Sequence, residues 1–506
     1  MAGKPTRERR VMLKGNLDMT HWKLHLAFAA LILIGNASVA DVKLPAIVSS
    51  NMVLQRDTTI TLWGWADAEE KISISSSWLD KRIRIRADTS GKWLVEVKTT
   101  KSLDPQTIEI KSKTSDILLE NILFGEVWLS SGQSNMQQSL QGYVGQPTFG
   151  SQEAIVHAAN DNLRLFTVAR EADTAPRENI GGHTGWQSAT PASVKNFSAV
   201  AYFYGQQLQQ ILEVPVGIIH SSWGGSLVEA WMSKESLSPI KEINLTGLDL
   251  ERGNRFPTVL FNAMINPLIP YTIKGALWYQ GESNARRPEE YEKLFPAMVE
   301  DWRARWGIGN FPFYYAQIAP YQYNWNEPEE AEVDHLVAQM RESQQQCLEL
   351  IPNSGMAVLM DIGTESVIHP PLKKEVANRL LYNALNKTYG YMAVDFSGPV
   401  YDEMQIIDDS IYVTFQHAER GLYSKGDSKN WEIAGTDKIF HPALATNDRR
   451  GITVRSEKVK EPVAVRYAWR SWAVGSLYGT NMLPASSFRT DNWNDATRFE
   501  EPGLRN

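Results

Sequence analysis

Gly125-Glu-Val-Trp-Leu-Ser-Ser-Gly-Gln-Ser-Asn-Met136 is the stretch that decides the fold, an apolar run that ends abruptly in small and polar residues. Val127–Leu129 predicts a buried strand, and Ser130–Gly132 predicts that the strand ends in a turn. Ser134 would then lie at the carboxyl end of a strand, just before a helix. An acyl-transfer enzyme needs such a serine beside backbone N–H groups, because negative charge develops on the substrate carbonyl oxygen during attack. Ser134 is therefore a candidate nucleophile.

A second apolar strand is followed by a loop that carries a histidine. Ala357–Met360 predicts the strand, and the loop from Asp361 ends at His369. After it, apolar residues recur at helical spacing, so Pro370 and Pro371 are predicted to open an amphipathic helix. A histidine held in a loop beside a serine can act as its general base.

Two further segments have the same form, a strand followed by small or polar residues. They are Gly217–Ser226 and Gly275–Asn284. In an open α/β sheet, ligands bind outside the carboxyl ends of the strands. We therefore expect four loops that are distant in sequence to meet at one site.

Several blocks of the chain, in their order, resemble the sialate O-acetylesterases, within the wider SGNH family of serine esterases. The resemblance extends over roughly residues 42–495. The blocks are Leu44–Met52, Gly132–Asn135, Trp278–Ser283, Ile368–Pro370 with Lys373, Trp431–Gly435 and Phe488–Asp491. A single Gly-x-Ser would be a weak signal, whereas these blocks together are specific.

The resemblance implies roles at matching positions. Ser134 would be the nucleophile, and His369 would take its proton and return it to the leaving alcohol. Gly225, or its neighbour Gly224, would supply an N–H to the oxyanion. Gln280 stands where the wider family presents a carboxamide.

The residue that would orient the histidine stays open. The common SGNH pattern places an aspartate three residues before the histidine, but Ser366 stands there. Glu365 and Asp361 are the alternative acids, and Glu365 is the first candidate because a modest turn would bring it to His369. A Ser-His dyad without an acid is the third possibility.

Three further residues adjoin these positions and are candidates for the oxyanion or substrate side of the site. Gly281 and Glu282 follow Gln280, and Asn135 follows the serine. Glu282 either holds loops together or contacts sugar, and Asn135 is expected to brace its loop.

Length and pattern predict several domains, because single cores seldom exceed about 300 residues. We expect an α/β protein in which a three-layer SGNH/flavodoxin-like hydrolase domain is flanked by β-rich, sandwich-like domains. The predicted boundaries are 1–40 for a signal peptide, 41–123 for a β-sandwich, 124–395 for the esterase domain and 396–506 for a C-terminal β-rich domain.

The first forty residues have basic side chains ahead of the apolar run Leu26–Ile34, followed by Ala37-Ser-Val-Ala40. This pattern predicts a secretory signal peptide, and the run is too short for an ordinary membrane-spanning helix. We expect a periplasmic protein, with release from the cell as the alternative, and no stable membrane insertion after cleavage. An uncleaved membrane anchor is the alternative to a cleaved signal peptide.

Composition narrows the function class. Removing the six basic and two acidic residues of 1–40 leaves 45 basic against 56 acidic residues, so no basic stripe for nucleic acid is expected. Cys347 is the only cysteine, which excludes an internal disulfide, and no Cys/His spacing indicates zinc. We expect no metal or organic cofactor, and nothing in the sequence specifies an oligomeric state.

The sequence therefore predicts a carbohydrate O-acetylesterase that works through an acetyl-serine intermediate. The resemblance suggests sialic acid as the alcohol half of the ester. Acetylated xylan or another plant glycan is the alternative substrate. A carbohydrate-binding protein that has lost catalysis is an alternative of a different class.

Overall fold

The computed structural model of the chain describes residues 41–245, 250, 253–323, 331–425 and 428–493. The predicted signal segment 1–40 lies outside the described residues. None of the helices in these ranges is both long enough and apolar enough to cross a membrane.

The N-terminal part consists of short strands in which buried and exposed residues alternate, as they do in a sheet with one wet face. Its strands are β1 (Val53–Gln55), β2 (Thr59–Trp65), β3 (Lys71–Ser76), β4 (Ile83–Arg86), β5 (Lys92–Lys98), β6 (Gln106–Lys111) and β7 (Asp116–Gly132). β2 pairs with β5, while β4, β3, β6 and the first part of β7 form an antiparallel sheet. The buried faces of both belong to one core, as predicted for a small sandwich.

The central sheet has the strand order β13-β12-β11-β7-β10-β8-β9. Its further strands are β8 (Asn160–Thr167), β9 (Gln187–Ala189), β10 (Val216–Ser222), β11 (Gly275–Tyr279), β12 (Phe313–Ala316) and β13 (Ser354–Ala357). All neighbours are parallel except β9, which lies antiparallel at one edge. Strands β7, β10 and β11 are buried through the sheet, as parallel strands covered on both faces must be.

Helices cover both faces of this sheet and make three layers. The α-helices are α1 (Ser134–Gln137), α2 (Ser151–Val156), α3 (Pro191–Lys195), α4 (Ala199–Leu212), α5 (Lys234–Leu237), α6 (Pro288–Trp306), α7 (Ala331–Leu350) and α8 (Lys373–Lys387). Helices α4 and α8 share a core with one face of the sheet. Helices α6 and α7 share a core with the other face, and that core continues into the N-terminal strands. The predicted α/β class is confirmed.

Short irregular helices complete this part of the chain. They are the 3₁₀ segments Val228–Trp231, Asn266–Leu268, Glu282–Asn284 and Ser428–Asn430, and the π segment Phe261–Ile265.

Several predicted limits differ from the structure, among them the strand predicted over Ala357–Met360, which lies earlier as β13 at Ser354–Ala357. The predicted domain boundary between residues 123 and 124 falls inside β7, which runs without a break from the N-terminal sheet into the central one. Helix α8 begins at Lys373 after Leu372, and not at the two prolines. Pro370 and Pro371 instead end the loop that carries His369.

The C-terminal part is β-rich, as predicted. Its strands are β14 (Val400–Ile407), β15 (Ser410–Gln416), β16 (Leu422–Ser424), β17 (Trp431–Gly435), β18 (Phe440–Pro442), β19 (Leu444–Asn447), β20 (Gly451–Arg455), β21 (Pro462–Tyr467), β22 (Leu477–Gly479) and β23 (Phe488–Arg489). Two four-stranded sheets, β14-β15-β20-β19 and β18-β17-β21-β23, share a third core.

Candidate active site

The predicted site lies at the carboxyl edge of the central sheet, where β7, β10, β11 and β13 end. Ser134 is the first residue of α1, and the end of β7 lies only two residues before it. Gly132 allows β7 to approach its neighbour closely there. Its φ is +131°, and any side chain at this position would strike the Tyr279 carbonyl. This turn presents Ser134 at the sheet edge.

Ser134 is half-buried, and its surroundings leave the hydroxyl unused. Its carbonyl accepts the Tyr143 hydroxyl at 3.0 Å, whereas its own hydroxyl has no hydrogen-bond partner within the described residues. The Gly224–Gly225 turn lies against it, since a side chain at Gly224 would come within 3.1 Å of the Ser134 Cβ. Ser134 is thus held through its backbone, which leaves its side-chain oxygen available for chemistry.

His369 is half-buried in the loop before α8, and its Nδ1 lies 2.5 Å from Gln146 Oε1. An amide oxygen only accepts, so Nδ1 carries the proton and Nε2 is left as the basic nitrogen. Burial, helped by the nearby Lys373 cation, lowers the pKa of His369 to about 4. His369 is therefore neutral, and able to act as a base, at ordinary pH.

The serine loop and the histidine loop are joined directly. Asn135 Nδ2 donates to the Ile368 carbonyl at 3.1 Å, which ties the residue after the serine to the residue before the histidine. The Tyr143 ring packs edge-on against His369, with centroids 5.1 Å apart, while its hydroxyl binds the Ser134 carbonyl. The structure thus brings the two predicted residues into one site.

The structure places neither predicted acid at His369 Nδ1. Asp361 is bound through both carboxylate oxygens by Arg379 of α8, at 2.7 and 2.9 Å. The Glu365 side chain is exposed, and its carbonyl accepts the Gln322 N–H. Gln146 occupies the position that sequence reasoning assigned to an acid.

Gln146 is held by a tight hairpin between α1 and α2. The backbones of Tyr143 and Gln146 exchange hydrogen bonds of 2.9 and 3.0 Å around a turn whose Gly145 has a φ of +72°. Gln138 Nε2 donates to the Gln146 carbonyl at 3.1 Å. Sequence reasoning missed Tyr143 and Gln146. The Val144-Gly145 turn between them is the one signal there, and it indicates a turn without indicating a role.

The two predicted oxyanion glycines differ in what their N–H groups do. The Gly224 N–H donates to Gln137 Oε1 at 2.6 Å, so it is already used. Gly225, at a φ of +74°, has no acceptor for its N–H within the described part of the chain, and neither has Ser134. Asn254, which sequence reasoning did not single out, donates to the Gly224 carbonyl at 2.6 Å and holds this turn.

Gln280 does not fit the carboxamide role that the resemblance implies. Its Nε2 donates to the Ser226 carbonyl at 3.1 Å and to Asn284 Oδ1 at 2.6 Å, so both amide hydrogens are used. Gln280 is fully buried and holds the β10 and β11 loops together. Gly281 follows it at a φ of +146°, where a side chain would strike Ile318 and Gln344. Both residues shape the site and lie behind it.

A buried polar network lies behind the serine. Lys373 Nζ donates to Asn135 Oδ1 at 2.5 Å, and Asn135 Nδ2 donates to Glu282 Oε1 at 2.5 Å. Burial lowers the pKa of Lys373 to about 7, against the opposing effect of Glu282, and burial raises the pKa of Glu282. Asn135 is therefore a loop brace, as predicted, and Glu282 belongs to the same brace.

No group of three or more His, Cys, Asp or Glu residues within the described ranges is arranged to hold a metal ion.

A solved structure of a carbohydrate acetylesterase from Xanthomonas citri is similar to this chain. The two are 34% identical, and the match covers 90% of this chain and 100% of that chain with a TM-score of 0.82. Residues 125–365 also match the family model described as carbohydrate esterase, sialic acid-specific acetylesterase. The chain belongs to the sialate O-acetylesterase family. The resemblance seen in its sequence blocks is confirmed.

Mammalian members of the sialate O-acetylesterase family match over most of their length. The Homo sapiens sialate O-acetylesterase is 28% identical over 466 residues, which cover 84% of this chain and 87% of that protein. The Mus musculus protein is 28% identical over 523 residues, with 87% and 93% covered. The segment that matches the family model contains Ser134, Gly225 and Gln280 and ends at Glu365, shortly before His369.

Proposed function

We propose that this protein hydrolyses O-acetyl esters of carbohydrates through an acetyl-serine intermediate. The observation that carries the proposal is the joined pair of loops, in which Asn135 and Tyr143 connect Ser134 to the His369 segment. The unused Ser134 hydroxyl and the neutral His369 supply the nucleophile and the base that such a reaction needs. Membership of an acetylesterase family supports the same chemistry.

The steps follow from the two side chains. Ser134 Oγ attacks the acetyl carbonyl carbon while His369 Nε2 takes the hydroxyl proton, and a tetrahedral oxyanion forms. Collapse breaks the ester C–O bond, and His369 returns the proton to the departing sugar oxygen. Water then attacks the acetyl-serine with His369 again as base, which releases acetate and restores Ser134.

The oxyanion needs hydrogen-bond donors that are fixed before the reaction begins. The N–H groups of Gly225 and Ser134 have no acceptor within the described residues and are the donors that we assign to this role. Gln137 and Asn254 hold the glycine turn from both sides by binding Gly224, so the Gly225 N–H is positioned in advance.

The relatives differ in the alcohol half of the ester that their names state. The mammalian relatives are named for sialate esters, which supports an acetylated sialic acid. The Xanthomonas citri protein is named only as a carbohydrate acetylesterase, so acetylated xylan fragments remain the alternative substrate. The unused Ser134 hydroxyl and the basic His369 argue against an inactive binding protein.

A side-by-side assay tests the proposal. Acetate release from O-acetylated sialic acids and from acetylated xylan fragments is measured for the wild type, Ser134→Ala, His369→Ala and the control Ser139→Ala. We expect the first two variants to lose on the order of 10⁴ to 10⁶ in kcat. Ser139 lies in the same segment without a catalytic role, so its variant should keep wild-type turnover. Hydrolysis of neither ester class by the wild type would refute the proposal, and hydrolysis of xylan fragments alone would refute the sialate assignment.

We also propose export of the protein to the periplasm or outside the cell. The basic and apolar pattern of residues 1–40 supports it. Cell fractionation with amino-terminal sequencing of the recovered protein tests it. A mature chain that begins near residue 41 in the periplasmic or extracellular fraction is expected, and an uncleaved cytoplasmic chain would contradict it.

A further inference from the structure

A cavity of about 540 Å³ opens between the β2–β5 pair and the catalytic domain, far in sequence from the Ser134 and His369 loops. Its apolar lining consists of Trp63, Trp65, Trp93, Leu94, Ile269 and Pro270. We call it the tryptophan cleft. Its volume falls within the range of about 300–1,000 Å³ that small-molecule sites occupy.

The strand register explains why indole rings gather there. Trp63 lies opposite Leu94 and Trp65 opposite Lys92, so these four side chains share one face of the strand pair. Leu94 is 59% exposed there, which is unusual for a large apolar side chain in the interior of a strand. This face is covered only in part, since Trp63 also packs edge-on against Tyr271 of the catalytic domain.

The Trp93 ring packs on the opposite, buried face of the same strand pair. The Trp93 ring lies across the bare backbone of Gly64, where a Cβ would come within 2.8 Å of the ring. Trp93 is 3% exposed, and its Nε1 has no hydrogen-bond acceptor within the described residues. Trp93 therefore supports the strand pair from its buried face, while Trp63, Trp65 and Leu94 form the apolar surface of the cleft.

Charged side chains of both signs line the rest of the cleft. They are Arg86 and Lys92, which are positive, and Asp88 and Glu178, which are negative. Glu178 accepts the Trp65 Nε1–H at 3.1 Å and pairs with Lys92, which fixes one wall of the cleft. Because the charges balance, the cleft favours no ion of either sign, while it offers donors and acceptors to hydroxyl groups.

Apolar ring faces beside balanced donors and acceptors suit a sugar ring, which has C–H faces and a rim of hydroxyls. We propose that the tryptophan cleft binds an uncharged segment of a glycan chain, as an ancillary site separate from the esterase site. This inference rests on the carbohydrate substrate proposed above. An ancillary site would hold a long acetylated glycan on the protein and raise the local concentration of its acetyl groups at Ser134.

A binding experiment without turnover tests the cleft directly. Xylohexaose and lacto-N-tetraose, both uncharged and unacetylated, are titrated into the full chain by calorimetry. At least one is expected to bind saturably, and Trp65→Ala is expected to weaken that binding by about tenfold or more, since a tryptophan is a typical binding anchor. Binding of neither oligosaccharide, or unchanged binding by a folded Trp65→Ala, would overturn the proposal.

Two exposed leucines provide a matched control for loss of binding caused by misfolding. Leu94 of β5 is 59% exposed and Leu118 of β7 is 54% exposed, but only Leu94 lines the cleft. Leu94→Asp is expected to weaken binding as Trp65→Ala does, while Leu118→Asp binds like the wild type. Equal loss in both leucine variants would overturn the proposal.

Kinetics separate this inference from the proposed function. On a long acetylated glycan, Trp65→Ala should raise KM about tenfold with kcat unchanged, while on p-nitrophenyl acetate both constants should match the wild type. Oligosaccharide binding by a protein that cleaves no acetylated sugar would refute the esterase function and support the cleft. Cleavage of acetylated sugars with no oligosaccharide binding would support the esterase function and refute the cleft proposal.

Discussion

At the scale of single residues, the most consequential feature is the amide that faces His369, the proposed general base. A carboxylate in that position orients the ring and also stabilises the imidazolium that forms during attack. Gln146 does only the first, because its oxygen carries no charge. Burial and the Lys373 cation then keep the pKa of His369 near 4. His369 therefore stays neutral, and able to accept a proton, in mild acid. The imidazolium that forms during attack is less stabilised than it would be beside a carboxylate.

Gln146→Glu tests this account. A carboxylate beside Nδ1 favours the charged ring, so the pKa of His369 should rise by about 1–3 units. Since only the neutral ring accepts the serine proton, the acid limb of kcat/KM should move from near pH 4 to higher pH. Turnover above that limb should rise a few-fold. Gln141→Glu, an exposed change in the same segment, should leave the profile unmoved. A pH–rate profile identical to the wild type in the first variant would contradict the role of Gln146.

Lys373→Met should move the same limb for a different reason. Lys373 is charged below about pH 7 and disfavours protonation of His369, so removing the cation raises the pKa of the histidine. Activity should then be lost at a higher pH as the solution is acidified. Lys374→Met alters an exposed lysine next to it and is the control. Equal shifts in both variants would show that distant charge, and not Lys373, sets the limb.

At the scale of secondary-structure elements, the loop from β13 to α8 explains why the acid was difficult to assign from sequence. Asp361 lies in the loop after β13 and before the histidine, where an orienting acid could stand, but its carboxylate binds Arg379 and so anchors α8 next to this loop. Both partners are nearly buried, at 5% exposure for the Arg379 side chain and 13% for that of Asp361. The pair anchors the element on which the histidine loop depends.

Asp361→Asn should therefore destabilise the protein more than it slows catalysis. Breaking a buried ion pair from one side costs about 3–5 kcal/mol, and the buried Arg379 would keep only the more exposed Glu375 as an acidic partner. Denaturant unfolding should show this loss, while kcat of the folded fraction stays within a few-fold of the wild type. Glu365→Gln, an exposed change in the same loop, should alter neither quantity appreciably. A stable Asp361→Asn protein without activity would return the catalytic role to Asp361.

The sequence predicted what depends on local pattern and missed what depends on long-range pairing. Ser134 and His369 were found because each follows an apolar strand and precedes a helix. Gln146 was missed because its partner is 223 residues away in sequence and its hairpin has no chemical signature. The resemblance implied a donor role for Gln280, but a sequence does not show which acceptors an amide already serves. The predicted boundary falls inside β7, because a change from partly exposed to continuously buried residues looks the same in a sequence whether one strand continues or two strands meet.

At the scale of the whole molecule, the N-terminal and central sheets share the strand β7 and pack on a common hydrophobic core. β7 pairs with β6 at its start and with β10 and β11 near its end. The core beneath one face of the central sheet contains buried residues of both parts, among them Ile74 and Trp278. We therefore expect the two parts to unfold together.

Ile74→Ala tests this expectation. Ile74 is 1% exposed in β3, and truncating such a side chain costs about 2–5 kcal/mol. If the parts are coupled, esterase activity and near-ultraviolet circular dichroism should be lost at the same, lowered temperature. Leu118→Ala, at an exposed position of β7, should leave both midpoints in place. Activity that survives a separate first transition would show that the N-terminal sheet melts alone.

The shared strand also bears on how such a protein can change over evolutionary time. Modules that are joined by a linker can be exchanged by recombination at the linker, whereas a crossover within β7 would splice two half-strands whose registers must agree in two sheets at once. The strand pair of the tryptophan cleft precedes β7 in sequence, whereas Ser134 and the cleft residues Glu178 and Ile269 follow it. The cleft and the Ser134 site are consequently inherited together. A change of specificity in either site has to arise by substitution of its own residues.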